Sequence, residues 1–426
     1  MVRPASNVTP LERRGTNEHF PCFDGLRAIA AIAVLMHHAA IETAFNLRGT
    51  LHVPATDWTI EYGKYFTRMD AGVQVFFLIS GFLLYRPFVA AAFDERSPMG
   101  PRQFFRHRFL RIFPAYWFAY ICIALFIGLD MPVGGARSML QQFFLVHLYD
   151  PTDGGARALG GISQSWTLVV ELSFYLFIPL YAYVMRRIDD RAGARRLRVE
   201  LWGLVALVLI SVLWKAGVYW VLPNGGFRNL AQYWLPAQLD LFALGMFLAV
   251  IHVWAQRRGK ATPVLETIGR LDWLWWICAF VSFTAVTYWI GLPDILEAVY
   301  GFHAFGKQYL YGITAFFLLL PAVFGPMDRG IVRRFLRFAP IAYCGMVSYG
   351  IYLWHQGFIK LAHQWGGWAR KAGEPELATF RGNFLYHVAI ALALSVAAAT
   401  VSWYLIEKPI LRRKDRPLFR TRGSKG

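Results

Sequence analysis

Long apolar stretches alternate along this chain with short loops rich in arginine. Runs long enough to cross a bilayer core, about 20 helical residues each, fall at 26–45, 71–93, 112–129, 166–185 and 201–222. Five more follow at 234–254, 273–292, 309–325, 341–361 and 384–406. In lipid such runs must be helical, because a helix satisfies its backbone polar groups within one segment. The pattern predicts an all-α integral membrane protein, a single bundle of about ten transmembrane helices. The shorter stretch Ser138 to Tyr149 suits a helix lying in the interface before the fourth span.

Composition agrees, with 56% hydrophobic and 17% aromatic residues and a mean hydropathy of +0.38. The net charge of +18 would suit nucleic acid, but the 44 Lys and Arg lie between apolar runs and not along one soluble face. Their role is topological. The N-terminal segment, alternate loops and C-terminal tail hold 30 of them, the opposite side ten, and Arg27, Arg86, Lys215 and Lys360 lie within spans. With an even number of spans, this bias places both termini in the cytoplasm. The chain divides into an N-terminal arm (1–25), a transmembrane domain (26–406) and a basic cytoplasmic tail (407–426). The arm lacks the apolar core of a signal peptide, so insertion is expected to begin with the first span. Cys22, Cys122, Cys278 and Cys344 are widely separated and show neither disulfide nor metal spacing.

Charged and polar groups inside the spans carry the candidate chemistry. Arg27 and His38 stand eleven residues apart, on one helix face and about 16 Å apart along the axis. Arg27 falls near the cytoplasmic edge and His38 near mid-membrane. Ser80 and Gly81 occupy the second span at mid-depth, where Gly81 permits close backbone approach. The fourth span opens with Ser165-Trp166-Thr167 and reaches Glu171 about 7 Å below its outer boundary. In the ninth, Tyr349 precedes His355, which is expected at a depth similar to Glu171. Arg108 and Arg111 share a face before Pro114, and Arg86 closes the second span nearby. Fork-shaped guanidiniums at a helix mouth suit a polyphosphate ligand. Polarity therefore divides by depth, with cations at the cytoplasmic mouth and His and Glu farther out. Isolated, each group has a plainer explanation: an interhelical hydrogen bond, a packing notch, a structural ion pair. No P-loop, G-x-S-x-G elbow or H-E-x-x-H occurs, and the His37-His38 pair lacks the aspartate of soluble CoA-dependent acyltransferases, with Glu42 in its place.

In combination these residues resemble the membrane-bound acyltransferase 3 family of bacterial O-acyltransferases. The likeness rests on Asp24-Gly25-Leu26-Arg27-Ala28 with His38, Phe76-Phe77 with Ser80-Gly81-Phe82, and Arg108-x-x-Arg111-Ile112-x-Pro114. It continues through Ser165-Trp166-Thr167 with Glu171, Ser348-Tyr349-x-Ile351-Tyr352-x-x-His355 and Glu407-Lys408-Pro409. The resemblance implies transfer of a short acyl group, most often acetyl, from cytosolic acyl-CoA to a sugar hydroxyl of an envelope glycan, glycolipid or glycosylated metabolite at the bacterial inner membrane. Acyl-CoA is then a co-substrate, with no tightly bound cofactor and no metal. His38 is implied as the central catalytic residue, general base or acyl carrier, with Glu171 orienting it or offsetting its charge. Arg27, Arg108, Arg111 and Arg86 are expected to serve the donor, and Ser80, Trp166, Tyr349 and His355 to line an acyl or acceptor pocket. Some relatives carry an extracytoplasmic hydrolase-like domain after the last span, which is not expected here. The competing reading is a transporter or flippase for a lipid-linked glycan, with intramembrane His and Glu as a proton relay.

Overall fold

The computed structural model describes residues 20–43, 63–129, 135–152, 160–189, 194–258, 263–292, 299, 301–366 and 383–413. Most of the 1–25 arm and of the 407–426 tail lies outside them. Among the described residues the architecture is helical. The principal helices are α1 (Pro21–Glu42), α2 (Gly72–Phe93), α3 (Pro101–Phe126), α4 (Gly135–Phe143), α5 (Trp166–Ile188), α6 (Ala194–Ala216) and α7 (Leu235–Arg258). They are followed by α8 (Pro263–Arg270), α9 (Asp272–Thr284), α10 (Gly301–Val323), α11 (Ile331–Leu336), α12 (Ala339–Met346), α13 (Ser348–Gly366) and α14 (Phe384–Ser402). Local chemistry sets several ends. Pro21 and Pro101 open α1 and α3, where a missing N–H costs nothing, and Asn383 caps α14 by accepting from the Tyr386 N–H.

Each expected span overlaps a helical segment, but among the described residues seven helices are long and apolar enough for a membrane crossing, or eight if α8 and α9, bent by 77°, form one span. The expected spans at 309–325 and 341–361 correspond to α10 and to α12 plus α13. Polar residues dilute them: Lys307 and Gln308 in α10; His355, Gln356 and Lys360 in α13. The second of these is also not continuous, since the chain breaks at Val347 between α12 and α13. The stretch 138–149 is not one helix either. It divides into the end of α4 and a 3-10 turn, His147–Tyr149, with Ser138 and Gln142 buried and Leu140 and Phe144 exposed.

Helix α2 is the central strut, with 78% of its apolar window buried, against 28% for α6 and for the last helix. It packs on α7 through two glycines. A Cβ on Gly81 would lie 2.3 Å from the Phe242 carbonyl oxygen, and one on Gly245 would lie 2.1 Å from that of Leu78. Removing both side chains brings the backbones together, the usual device where lipid supplies no hydrophobic drive between helices. Around this crossing Phe77, Phe82, Phe174 and Phe242 form the core, with Phe174 stacked on Phe242 at 3.9 Å.

Candidate functional site

A cavity of about 130 Å³ lies between α1, α2, α3, α5 and α13. Arg27, Arg108 and Arg111 line it together with Glu171, three guanidiniums against one carboxylate. Its size falls below the about 300–1,000 Å³ of pockets that enclose drug-sized ligands. It therefore suits the small end of a ligand, with the remainder outside.

Each charged group is positioned by its helix. Arg27 is paired at 3.2 Å with Asp24, one turn back on α1, and keeps about a quarter of its side chain exposed (26%). The Arg108 guanidinium lies over the rings of Phe104 (5.6 Å) and Tyr175 (5.8 Å). Its Nε is buried and finds no hydrogen-bond acceptor among the described residues. Arg111, one turn on, faces the Trp403 ring at 6.0 Å. Glu171 Oε1 accepts from Ser80 Oγ at 2.8 Å and from the Tyr175 hydroxyl at 2.7 Å, so the carboxylate is solvated by the protein. Tyr349 lines the same space and donates to the Ile112 carbonyl at 2.9 Å, tying α13 to α3.

The histidines lie one step beyond. Tyr352 lines the end of the cavity, and its hydroxyl shares a 2.9 Å hydrogen bond with Thr167. Its ring is 5.7 Å from that of His355, which is fully buried. His355 Nε2 is 2.9 Å from His38 Nδ1. Thus α1 and α13 meet through a histidine pair at the end of an arginine-lined recess. On the far side of His38, the His37 ring is 5.1 Å away and donates through Nδ1 to the Thr67 carbonyl. Close by, Asp70 is held by Lys307 at 2.7 Å and Tyr311 at 2.6 Å.

Several expectations change. Glu171 does not share a level with the histidines; it lies with the arginines. The reason is where α5 starts. Gln164 Nε2 donates to the carbonyls of Tyr352 (3.0 Å) and Leu353 (2.9 Å), and Ser163 donates to Gln356, so the turn before Trp166 is sunk among the residues of α13. Five residues later, about 7 Å along the helix, Glu171 reaches the cavity. The depth division therefore fails for Glu171, whose described hydrogen bonds go to Ser80 and Tyr175 and not to the His38 imidazole. Arg86 and Trp166 do not line the cavity. Arg86 is buried with its guanidinium 5.2 Å over Phe20, and Trp166 packs on Tyr233 at 4.9 Å and Phe77 at 6.2 Å. His355 is the direct partner of His38. Sequence reasoning placed Thr167 and Tyr352 in motifs without assigning them to the site, and passed over Tyr175. Tyr175 was within reach, standing four residues from Glu171 on one helix face. The Asp70–Lys307 pair was not, since Lys307 fell in an inter-span loop.

The chain is 22% identical over 420 residues to the peptidoglycan O-acetyltransferase OatA of Listeria monocytogenes, covering 93% of this chain and 56% of that one. It is also 22% identical over 414 residues to the O-acetyltransferase OatA of Staphylococcus aureus, covering 95% and 59%. The chain thus spans little more than half the length of these relatives. No solved structure matches it. The acyltransferase 3 family, described as an acyltransferase domain, matches residues 20–406, nearly the whole chain, and the protein belongs to that family.

Proposed function

We propose that this protein is a multi-pass bacterial inner-membrane O-acyltransferase that moves a short acyl group, acetyl foremost, from cytosolic acyl-CoA to a sugar hydroxyl of an envelope glycan or glycolipid. In this reading ten helices cross the membrane, both termini are cytoplasmic, and the arginine recess faces the donor side. The observation that carries it is the continuity from three arginines around a small cavity, through Tyr352, to the His355–His38 pair. The guanidiniums that line the cavity attract a phosphate-bearing donor, and a cavity of this size admits its thioester end. The acceptor approaches from the other side of His38, where Asp70 and Lys307 are each about a quarter exposed and supply the carboxylate and ammonium groups that recognise hydroxyls.

In the transfer step, His38 Nε2 takes the acceptor hydroxyl proton as that oxygen attacks the thioester carbon. The C–S bond breaks, and the thiolate leaves as CoA-SH with the proton returned from the imidazolium. Transfer through an acyl-histidine uses the same nitrogen as nucleophile. Glu171, fixed by Ser80 and Tyr175, balances the arginines so that the empty cavity is not a bare triple cation.

The test is acyl transfer by the purified protein in proteoliposomes supplied with labelled acetyl-CoA and an envelope-glycan acceptor. The wild type should release free CoA in an acceptor-dependent manner, and His38→Ala should not. Movement of a lipid-linked glycan without CoA release would instead favour the transporter reading, and undiminished transfer by His38→Ala would remove His38 from the mechanism.

A further inference from the structure

The hydrogen bonds around the histidine pair specify where its protons sit. His355 Nδ1 is 2.8 Å from the backbone carbonyl of Tyr352, one turn back on its own helix. A carbonyl only accepts, so Nδ1 of His355 carries the hydrogen. A neutral imidazole has one N–H, and a fully buried ring with no facing carboxylate among its described bonds is held neutral by the cost of desolvating a charge. Its Nε2 is therefore an acceptor. The group 2.9 Å from that acceptor is Nδ1 of His38, which must be the donor. The lone pair of His38 is left on Nε2, and the Val34 carbonyl, one turn back on α1, is a further acceptor for the hydrogen of the same ring.

We infer that His355 is a positioning residue: it holds His38 in the tautomer whose Nε2 is the free base, and orients that ring across the α1–α13 contact. The inference rests on the transfer reading above and assigns His355 a task other than lining an acceptor pocket. Without this partner the hydrogen of His38 is held only by the Val34 carbonyl of its own helix, and the ring turns more freely about its side-chain torsions. With it, Nε2 is presented as acceptor in every encounter. The partner also acts after proton uptake, because the Nδ1–H of an imidazolium makes a charge-assisted bond to His355 Nε2, about twice as strong as the neutral one.

The chain of bonds also ends there. His355 passes its own hydrogen to a backbone carbonyl, which does not take up a proton for onward transfer. A proton accepted by His38 therefore has no exit along this path and returns through Nε2 to the leaving thiolate. A proton relay needs a titratable group at that end, so the same bonds that suit a transferase disfavour a transporter.

The test compares His355→Leu and His355→Gln with wild type in proteoliposomes supplied with labelled acetyl-CoA. Glutamine places an amide oxygen at the reach of Nε2 and accepts from His38; leucine fills the space and accepts nothing. Leucine should lower kcat about 10- to 100-fold, part of the about 10²–10⁴-fold that a positioned base contributes, while KM for acetyl-CoA moves less than about twofold, since the donor arginines are untouched. Glutamine should recover most of that loss. Equal impairment of Leu and Gln, or a wild-type kcat in Leu, overturns the inference but leaves the transferase reading intact if His38→Ala is inactive. Absence of transfer by the wild type removes both. A second measurement does not depend on the variants folding. In 15N-histidine-labelled wild type, the His38 signal, assigned by its loss in His38→Ala, should show the hydrogen on Nδ1, and a hydrogen on Nε2 overturns the inference.

Discussion

Replacing Gly81 with alanine tests the α2–α7 crossing that carries Ser80 into the cavity. The added Cβ would stand 2.3 Å from the Phe242 carbonyl oxygen and 3.1–3.2 Å from the carbon atoms beside it, all backbone. Ordinary Cβ contacts begin near 3.4 Å, so the two helices must part by about 1 Å, the difference between the two distances. A gap of that size forfeits about a quarter to a half of the dispersion attraction of each facing pair. In packed cores such overpacking costs about 1–3 kcal/mol. Ser80 is the adjacent residue, and its 2.8 Å bond to Glu171 would stretch with the displacement, so activity should fall with stability. The assay is thermal denaturation of the solubilised protein followed by size exclusion, with acyl transfer measured on the folded fraction. Gly100→Ala is the control, since its Cβ would meet nothing within 4 Å. If Gly81→Ala unfolds at the wild-type temperature, the close crossing does not exist as described.

Arg108→Ala and Arg111→Ala should each raise KM for acetyl-CoA by about tenfold or more, the equivalent of one charge-assisted bond of about 1.5–3 kcal/mol; an unchanged KM in steady-state kinetics would remove them from donor binding. Arg333 is buried and donates to the carbonyls of Pro321, Phe324, Gly269 and Arg329 at 2.7–3.0 Å, beside Asp272 at 3.8 Å. Arg333→Met should cost about 3–5 kcal/mol by leaving these groups and the Asp272 charge without their partner, read as loss of monodisperse protein, and a wild-type profile would contradict it. Asp94, just past the end of α2, is pushed up by burial, but Arg257 at 2.6 Å and Arg96 outweigh this and hold its carboxyl below the usual range. A depressed folded-state value stabilises above the unfolded value of about 3.9 and is lost as pH falls through the folded one. The stability advantage of wild type over Asp94→Asn should therefore be full at pH 6 and shrink below about pH 4, and a constant difference in melting temperature would refute the pairing.

The spacing of apolar residues by itself determined that the chain is helical and where most of its helices lie, because lipid permits one solution for an isolated apolar run. Helices α2, α5, α7 and α14 begin within a residue of the expected positions. Periodicity also placed Arg108 beside Arg111, and Gly81 at a close approach, since both follow from positions on one helix. Tertiary structure alone decided which helices meet and at what height. Glu171 stands level with Arg27 and Ser80 because the turn before α5 is sunk into α13 through Gln164, and no count along one helix reveals the starting depth of another. Arg86 looks like a donor ligand by its place in the chain, yet the face of α2 on which it lies turns it to Phe20. His38 and His355 are separated by 317 positions. Composition marks both as costly in a membrane, but only the contact of α1 with α13 makes one the partner of the other, because a hydrogen bond needs two groups within about 3 Å and the chain's local geometry controls only one of them.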